Sequence, residues 1–397
     1  MTSPAPCSSV RQREQVTLDI SGTCDPAFEP VRDAFASLFG QRPGGGPPDV
    51  GSAVALMVEG EMVVDLWAGF SDCARTKPWA RDTITTVAST SKGIAALCAA
   101  MLVDRGKLDY DERVATYWPE FAKNGKEGIT VRQVLSHQAG LSLVGGFDSH
   151  LFEDWEAVIH ALEEAAPDWE PGTAHGYHTL TFGHLAGEIV RRADGRDIGT
   201  FLREEVNGPL GIELLMGVTP EEDRRCAERC LVLAPEQPPD DPMVVGLGDM
   251  IDAFNRPSWR AAQVPAAGMH TDARSLARVY GALAIGGSLD GVTLLSTDTL
   301  DAATTTQVEG LDLTRMFAIP DCVSEYGLGW MLAGDAEAPL KARGDFGHGG
   351  MFGSWGWASR ELGLGFGYVM NDCWPNQYFG SADTRGRFLL EAAAKVL

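Results

Sequence analysis

Apolar positions along the chain follow two different periods, and the change between them outlines the fold. Phe28, Val31, Phe35 and Leu38 recur near a spacing of 3.6, which predicts a capped amphipathic helix over residues 25–40, with Gly40 as its stop. Residues 1–24 lack such a period and read as an irregular arm. The cluster Arg42-Pro43-Gly44-Gly45-Gly46-Pro47-Pro48 breaks the chain; with no Gly-Lys-Ser/Thr after it, it is not a phosphate loop. Two apolar runs, residues 52–58 and 62–67, flank Glu59-Gly60-Glu61 and predict a hairpin. A short β-branched run at 83–87 leads into residues 89–106, whose unbroken apolarity predicts a buried helix.

From residue 107 to 262 no clear strand is visible. Helical patterns occupy 131–137, 155–165, 181–194, 198–207 and 221–230, with a Pro-rich joint at 235–242. Beyond residue 271 both periods return: a helix at 273–285, a strand at 326–333, paired strands at 353–359 and 363–370, and a terminal helix at 384–396. No internal repeat appears. The expected organisation is a discontinuous α/β domain made of residues 1–106 and 263–397, with a mainly helical domain, 107–262, inserted.

Composition narrows the function more than the fold. The chain has 397 residues, with 44% hydrophobic and 22% charged, and sixteen Phe and ten Trp, so it can bury a sizeable core. Its formal net charge is −23. That excludes a nucleic-acid or anionic-membrane surface, which needs clustered Lys and Arg. The longest apolar run, residues 93–103, is too short to cross a bilayer, and residues 1–7 lack a secretory pattern. The expected compartment is therefore the cytoplasm, and the eight scattered cysteines are expected as reduced thiols. Cys226 and Cys230 lack a His pair, and His175, His178 and His184 lack a Glu-bearing zinc spacing. No metal or cofactor is expected; the three histidines read as capping or surface residues and His137 as structural.

Chemistry concentrates in three segments. Ser89 and Lys92 stand three apart where a helix should begin, so both side chains share one face one turn apart. A serine hydroxyl is a weak nucleophile until an adjacent base takes its proton, and the helix N-terminus offers free N–H groups for a developing oxyanion. The second segment is Pro171-Gly172-Thr173-Ala174-His175-Gly176-Tyr177-His178-Thr179, and the third is Gly347-His348-Gly349-Gly350-Met351-Phe352-Gly353. No serine is flanked as Gly-x-Ser-x-Gly, which argues against an α/β-hydrolase.

In order and spacing these segments resemble the serine β-lactamase and penicillin-binding-protein superfamily, most closely the class C β-lactamase-like esterases called family VIII. Ser89-x-x-Lys92 matches the first motif, Tyr177-x-Thr179 looks like Tyr-x-Asn, and His348-Gly349-Gly350 is similar to Lys-Thr-Gly. The resemblance runs from about residue 26 to the C-terminus and includes Leu135-Ser136-His137-Gln138-Ala139-Gly140-Leu141.

It implies a β-lactamase-like α/β fold: an antiparallel sheet flanked by helices, an inserted helical domain, and the active site at the interface. It also implies Ser89 as nucleophile, Lys92 and Tyr177 as the base, and an oxyanion hole from the N–H groups of Ser89 and Met351. Thr179, His348, Gly349, Gly350 and Trp355 would meet the substrate, with Trp355 and Trp357 able to line a pocket or to pack a strand. Thr179 lacks the amide of the family Asn, and His348-Gly349 lacks the ammonium and hydroxyl of Lys-Thr. Both departures favour a small, largely neutral ester over an anionic β-lactam. β-Lactam or amide hydrolysis, acyl transfer and a non-catalytic binding role stand as alternatives. The expected partner is the ester alone, and the protein a monomer or homodimer.

Overall fold

Gly51–Val58 carries apolar residues at almost every position, and a strand of that kind is stable only when covered on both faces. It lies inside a nine-stranded sheet. The structure is a computed structural model that describes residues 19–40, 46–146, 148–233, 238, 240–314, 322–373 and 384–397. The nine strands are β1 (Ser21–Cys24), β2 (Gly51–Val58), β3 (Glu61–Gly69), β4 (Val308–Leu311), β5 (Val323–Tyr326), β6 (Met331–Leu332), β7 (Phe346–Gly349), β8 (Trp355–Ser359) and β9 (Leu364–Met370). Their spatial order is β1-β3-β2-β9-β8-β7-β6-β5-β4, and every adjacent pair is antiparallel. β2 and β9 join the two ends of the chain, with Tyr368 opposite Val54.

Glycines set how closely the helices approach this sheet. On β8 and β9, Gly356, Gly365 and Gly367 sit on one face, where a Cβ on Gly365 would fall 2.1 Å from the Gly281 nitrogen. The helix Ala273–Ala284 lies there, backbone against backbone. Trp355, one residue from Gly356, faces the other side by strand alternation. It meets the terminal helix Thr384–Ala394, where a Cβ on Gly386 would approach its ring to 2.3 Å. The helix Ser91–Asp104 is apolar all round, buried over residues 91–102, and packs against Thr181–Asp194.

Several segments depart from the sequence reading. The arm before residue 25 contains β1, an edge strand whose pairing with Thr23 opposite Asp65 needs only backbone groups, so no apolar alternation announces it. The 326–333 run is two strands, because Gly327 and Gly329 (φ 93°) turn the chain between Tyr326 and Met331. The described residues of 107–262 hold two short strands. Leu214–Met216 pairs with Met269–Thr271, which also pairs with Thr85–Thr86, and Cys230–Leu231 pairs with Asp372–Cys373. The 221–230 segment therefore has one 3-10 turn, Glu222–Arg225, and then a strand. A helix at Pro242–Asn255 was not expected; Gly246 and Gly248 lower its intrinsic propensity. The breaker cluster at 42–48 and the joint at 235–242 lie partly outside the described residues. Among those residues, no helix is long and apolar enough to cross a membrane.

The expectation of eight reduced thiols fails. Cys73 and Cys230, 157 residues apart in sequence, form a disulfide with their Cα atoms 5.3 Å apart. Their loops are drawn together by the Glu228 N–H donating to the Ser71 carbonyl at 2.8 Å and the Cys73 N–H donating to Glu228 Oε2 at 3.0 Å. Such a long-range meeting leaves no trace in cysteine spacing.

Two measurements test this packing. Alkylation of the unreduced, denatured chain should label Cys24, Cys98, Cys226, Cys322 and Cys373 and leave Cys73 and Cys230 protected; labels on Cys73 and Cys230 would exclude the bridge. Gly365→Ala should lower stability by roughly 1–3 kcal/mol through overpacking, read as a shift in the denaturation midpoint, and an unchanged midpoint would contradict the close helix–sheet approach.

Candidate active site

The site is built around the turn that starts the buried helix. Ala88 adopts φ 44°, a left-handed conformation that non-glycine residues enter only at a cost, and it turns the chain sharply at Ser89. Ser89 is partly exposed, whereas Lys92, one turn on, is fully buried. Lys92 Nζ lies 3.0 Å from Ser89 Oγ and 3.0 Å from the Ala266 carbonyl, and 4.7 Å from the centre of the Tyr177 ring. Both hydrogen-bond partners are neutral. Burial alone pushes the Lys92 pKa well below its ordinary 10.5, because desolvation disfavours the ammonium.

Tyr177 enters on an extended segment held from several sides. Its N–H donates to Asp312 Oδ1 at 3.0 Å, and its carbonyl accepts the Thr314 hydroxyl at 3.0 Å. Its ring stacks on Tyr326 with centroids 6.2 Å apart and lies 6.0 Å from the His348 ring. Thr179, two residues on, reaches the same cavity as Ser89.

The third segment is tied to the first by one serine. Ser354 Oγ donates to the Val87 carbonyl at 2.7 Å; the Ser354 carbonyl accepts the Gly350 N–H at 2.7 Å and the Thr90 hydroxyl at 3.2 Å. A Cβ on Gly350 would lie 2.1 Å from the Val87 carbonyl oxygen, so glycine is required there. Arg385, fully buried between Asp49 (2.9 Å) and Asp372 (3.0 Å), donates to the Phe352 carbonyl. Met351 is thereby held beside Ser89, and both line one cavity. Among the described residues neither of their N–H groups has a backbone acceptor.

That cavity has a volume of about 570 Å³ and mostly apolar walls, including Leu180, Leu247, Met250, Phe254 and Trp259. Seven of its fifteen lining residues come from the helix at Pro242–Asn255. Trp355 is 4% exposed, packs edge-to-face on Trp357 and against Gly349 and Gly386, and is not among the residues that line this cavity, nor are His348, Gly349 and Gly350. His348 is also buried, its Nδ1 2.7 Å from the Gly349 carbonyl.

With this geometry in place, the relatives become informative. A family model described as Beta-lactamase matches residues 44–391. This chain belongs to the beta-lactamase family. It is a serine hydrolase of that family. The chain is 34% identical over 371 residues to a protein named Esterase/beta-lactamase LipL from Mycobacterium tuberculosis, covering 89% of this chain and 83% of that one. A solved structure of a family VIII carboxylesterase superposes with a TM-score of 0.83 at 38% identity, covering 96% of this chain and 100% of that one. A penicillin-binding-protein homologue from Caulobacter crescentus gives 0.82 at 39% identity, with the same coverages. The β-lactamase-like fold expected from the motifs is therefore the fold of the chain.

The histidines read as capping or surface groups are in fact buried, and no group of side chains suited to a metal ion occurs among the described residues. Sequence reasoning also missed the Ala266 carbonyl, Asp312, Arg385 and the cavity walls. The Ala266 contact is a backbone atom and leaves no side-chain signal; the others act across long chain separations.

Burial holds the pKa of His178 and His184 down to about 4 and that of His270 to about 3. In the unfolded chain each takes its proton near 6.5. Between those values the unfolded state binds more protons, so stability should fall as pH drops from 6.5 toward 4, by up to roughly 1.4 kcal/mol per pH unit for each histidine. Guanidinium midpoints at pH 7 and pH 4.5 would check this, and equal midpoints would contradict it.

Proposed function

We propose that this enzyme hydrolyses small, largely neutral carboxylic esters through an acyl-Ser89 intermediate. Ser89 Oγ attacks the ester carbonyl while its proton passes to the neutral Lys92 amine, with Tyr177 completing the base. The carbonyl oxygen, now negative, lies between the N–H groups of Ser89 and Met351. The carbon–alkoxide bond then breaks, and the proton from Lys92 and Tyr177 goes to the leaving alcohol. Water enters along the same path: the base takes its proton, hydroxide attacks the acyl carbon, and the proton returns to Ser89 Oγ as the acid departs. No cofactor takes part.

The observation that carries this reading is the 3.0 Å contact between Lys92 Nζ and Ser89 Oγ at the edge of an apolar cavity. The substrate class follows from charge. Exposed Asp249 borders the cavity, the chain carries −23 overall, and Thr179 and His348 offer no fixed cation to a carboxylate. The names of the relatives, esterase/beta-lactamase and family VIII carboxylesterase, support the same chemistry. β-Lactam hydrolysis is the second reading, since it uses the same acyl-serine step.

Ser89→Ala should lower kcat on p-nitrophenyl butyrate by about 10³-fold or more with an unchanged circular dichroism spectrum; retained turnover would overturn the nucleophile. The wild-type enzyme should also turn over that ester faster than a chromogenic cephalosporin, and the reverse order would select the second reading. The rising limb of kcat/KM against pH should have its midpoint well below 10.5 because Lys92 is desolvated; a midpoint at or above that value would remove Lys92 as the base.

A further inference from the structure

His137 occupies a backbone position built for glycine. The helix Val131–Leu135 ends with the His137 N–H donating to the Val134 carbonyl at 3.2 Å and the Gln138 N–H donating to the Gln133 carbonyl at 2.8 Å. That double closure places His137 at the residue where glycine is favoured, with φ 62°. A β-carbon there costs stability, so the side chain must return something that glycine cannot.

What the side chain returns is a bond to the residue after Tyr177, beside a backbone bond to the residue before it that glycine would also make. The His137 carbonyl accepts the Gly176 N–H at 3.1 Å, and its Nδ1 accepts the His178 N–H at 3.1 Å. The ring also packs against Tyr177, with centroids 5.0 Å apart, and against Tyr326 at 4.7 Å. The residues on either side of Tyr177 are thus held by one residue from a different segment. Accepting through Nδ1 requires a ring without a proton on that nitrogen. Full burial keeps the imidazole neutral by pushing its pKa well below 6.5. His178 extends the bracket: its Nδ1 lies 2.7 Å from the Gly176 carbonyl, and its Nε2 accepts the Leu141 N–H at 3.0 Å.

We infer that His137 is a positioning residue that fixes Tyr177 for proton transfer at Ser89 through its bonds to Gly176 and His178. The inference rests on the role given to Tyr177 above. Misplacing a proton-transfer group by an ångström can cost about 100-fold in rate, so the bracket bears on kcat rather than on substrate binding.

The test compares H137F, H137N and H137G, alone and combined with Y177F, on p-nitrophenyl butyrate. H137F keeps a ring but loses the acceptor, and should lower kcat about 10- to 100-fold with KM within about twofold of wild type. H137N keeps an acceptor and tolerates the left-handed backbone, and should recover most of kcat. Once Tyr177 has lost its hydroxyl there is nothing left to position, so H137F should cost no further activity in the Y177F background. H137G suits the backbone and secures the test should H137F not fold; its kcat should fall as that of H137F does. A histidine variant that slows the wild-type and Y177F enzymes by the same factor, or H137G at full kcat, would overturn the positioning role. Full activity in Y177F alone would instead overturn the role of Tyr177, which is a separate failure.

Discussion

A lysine amine sealed among apolar groups, with a hydroxyl and a carbonyl as its partners, cannot hold its charge cheaply, and the rest of the site depends on that fact. Removing an ammonium ion from water without a counter-charge favours the neutral amine. The apolarity of Ser91–Asp104 on every side supplies the dry surroundings. Because Lys92 follows Ser89 by one turn, at the start of the helix, the same burial that disfavours the ammonium also holds the amine beside the Ser89 hydroxyl. The chain's −23 charge pulls the other way, favouring the ammonium, but solvent ions screen it within about 8 Å. Local desolvation wins.

The sheet and its helices keep this arrangement rigid. Glycines on β8 and β9 let the Ala273–Ala284 helix settle onto the sheet at backbone distance, and Ser354 then ties the end of the β7–β8 turn to the Ser89 turn. Arg385, neutralised by two buried aspartates, holds the same loop from behind. Removing Arg385 would take this cation from two buried carboxylates at once, which is far more costly than losing a surface ion pair. Ser89 and Met351 therefore share one packed unit, and the Pro242–Asn255 helix adds seven of the fifteen residues that line the cavity beside them.

Much of this was legible in the chain. The hairpin of β2 and β3, the buried helix after Ser89, the amphipathic helix at Thr181–Asp194 and the β8–β9 pair all appear close to where hydrophobic period placed them, because each is stabilised by its own pattern of burial. The Ser89/Lys92 pair was legible for the same reason: one helical turn is a local relation. Where reading failed, the cause was non-local. β1 and Cys230–Leu231 are strands because a partner backbone lies beside them. The packing of Trp355 beneath the terminal helix and the bonds of His137, to residues about forty positions away, are non-local in the same way.

The sequence by itself determined the local periods, the order of the three motifs and the geometry within a single turn, since those follow from bonds and rotations between near neighbours. The tertiary structure alone decided which distant groups meet: Cys73 with Cys230, the Ala266 carbonyl with Lys92, Asp312 and His137 with the Tyr177 segment, and the Pro242–Asn255 helix with the mouth of the site. These contacts have no signature in residue spacing. They exist because closing the sheet between the two ends of the chain brings into contact groups that the covalent chain keeps far apart.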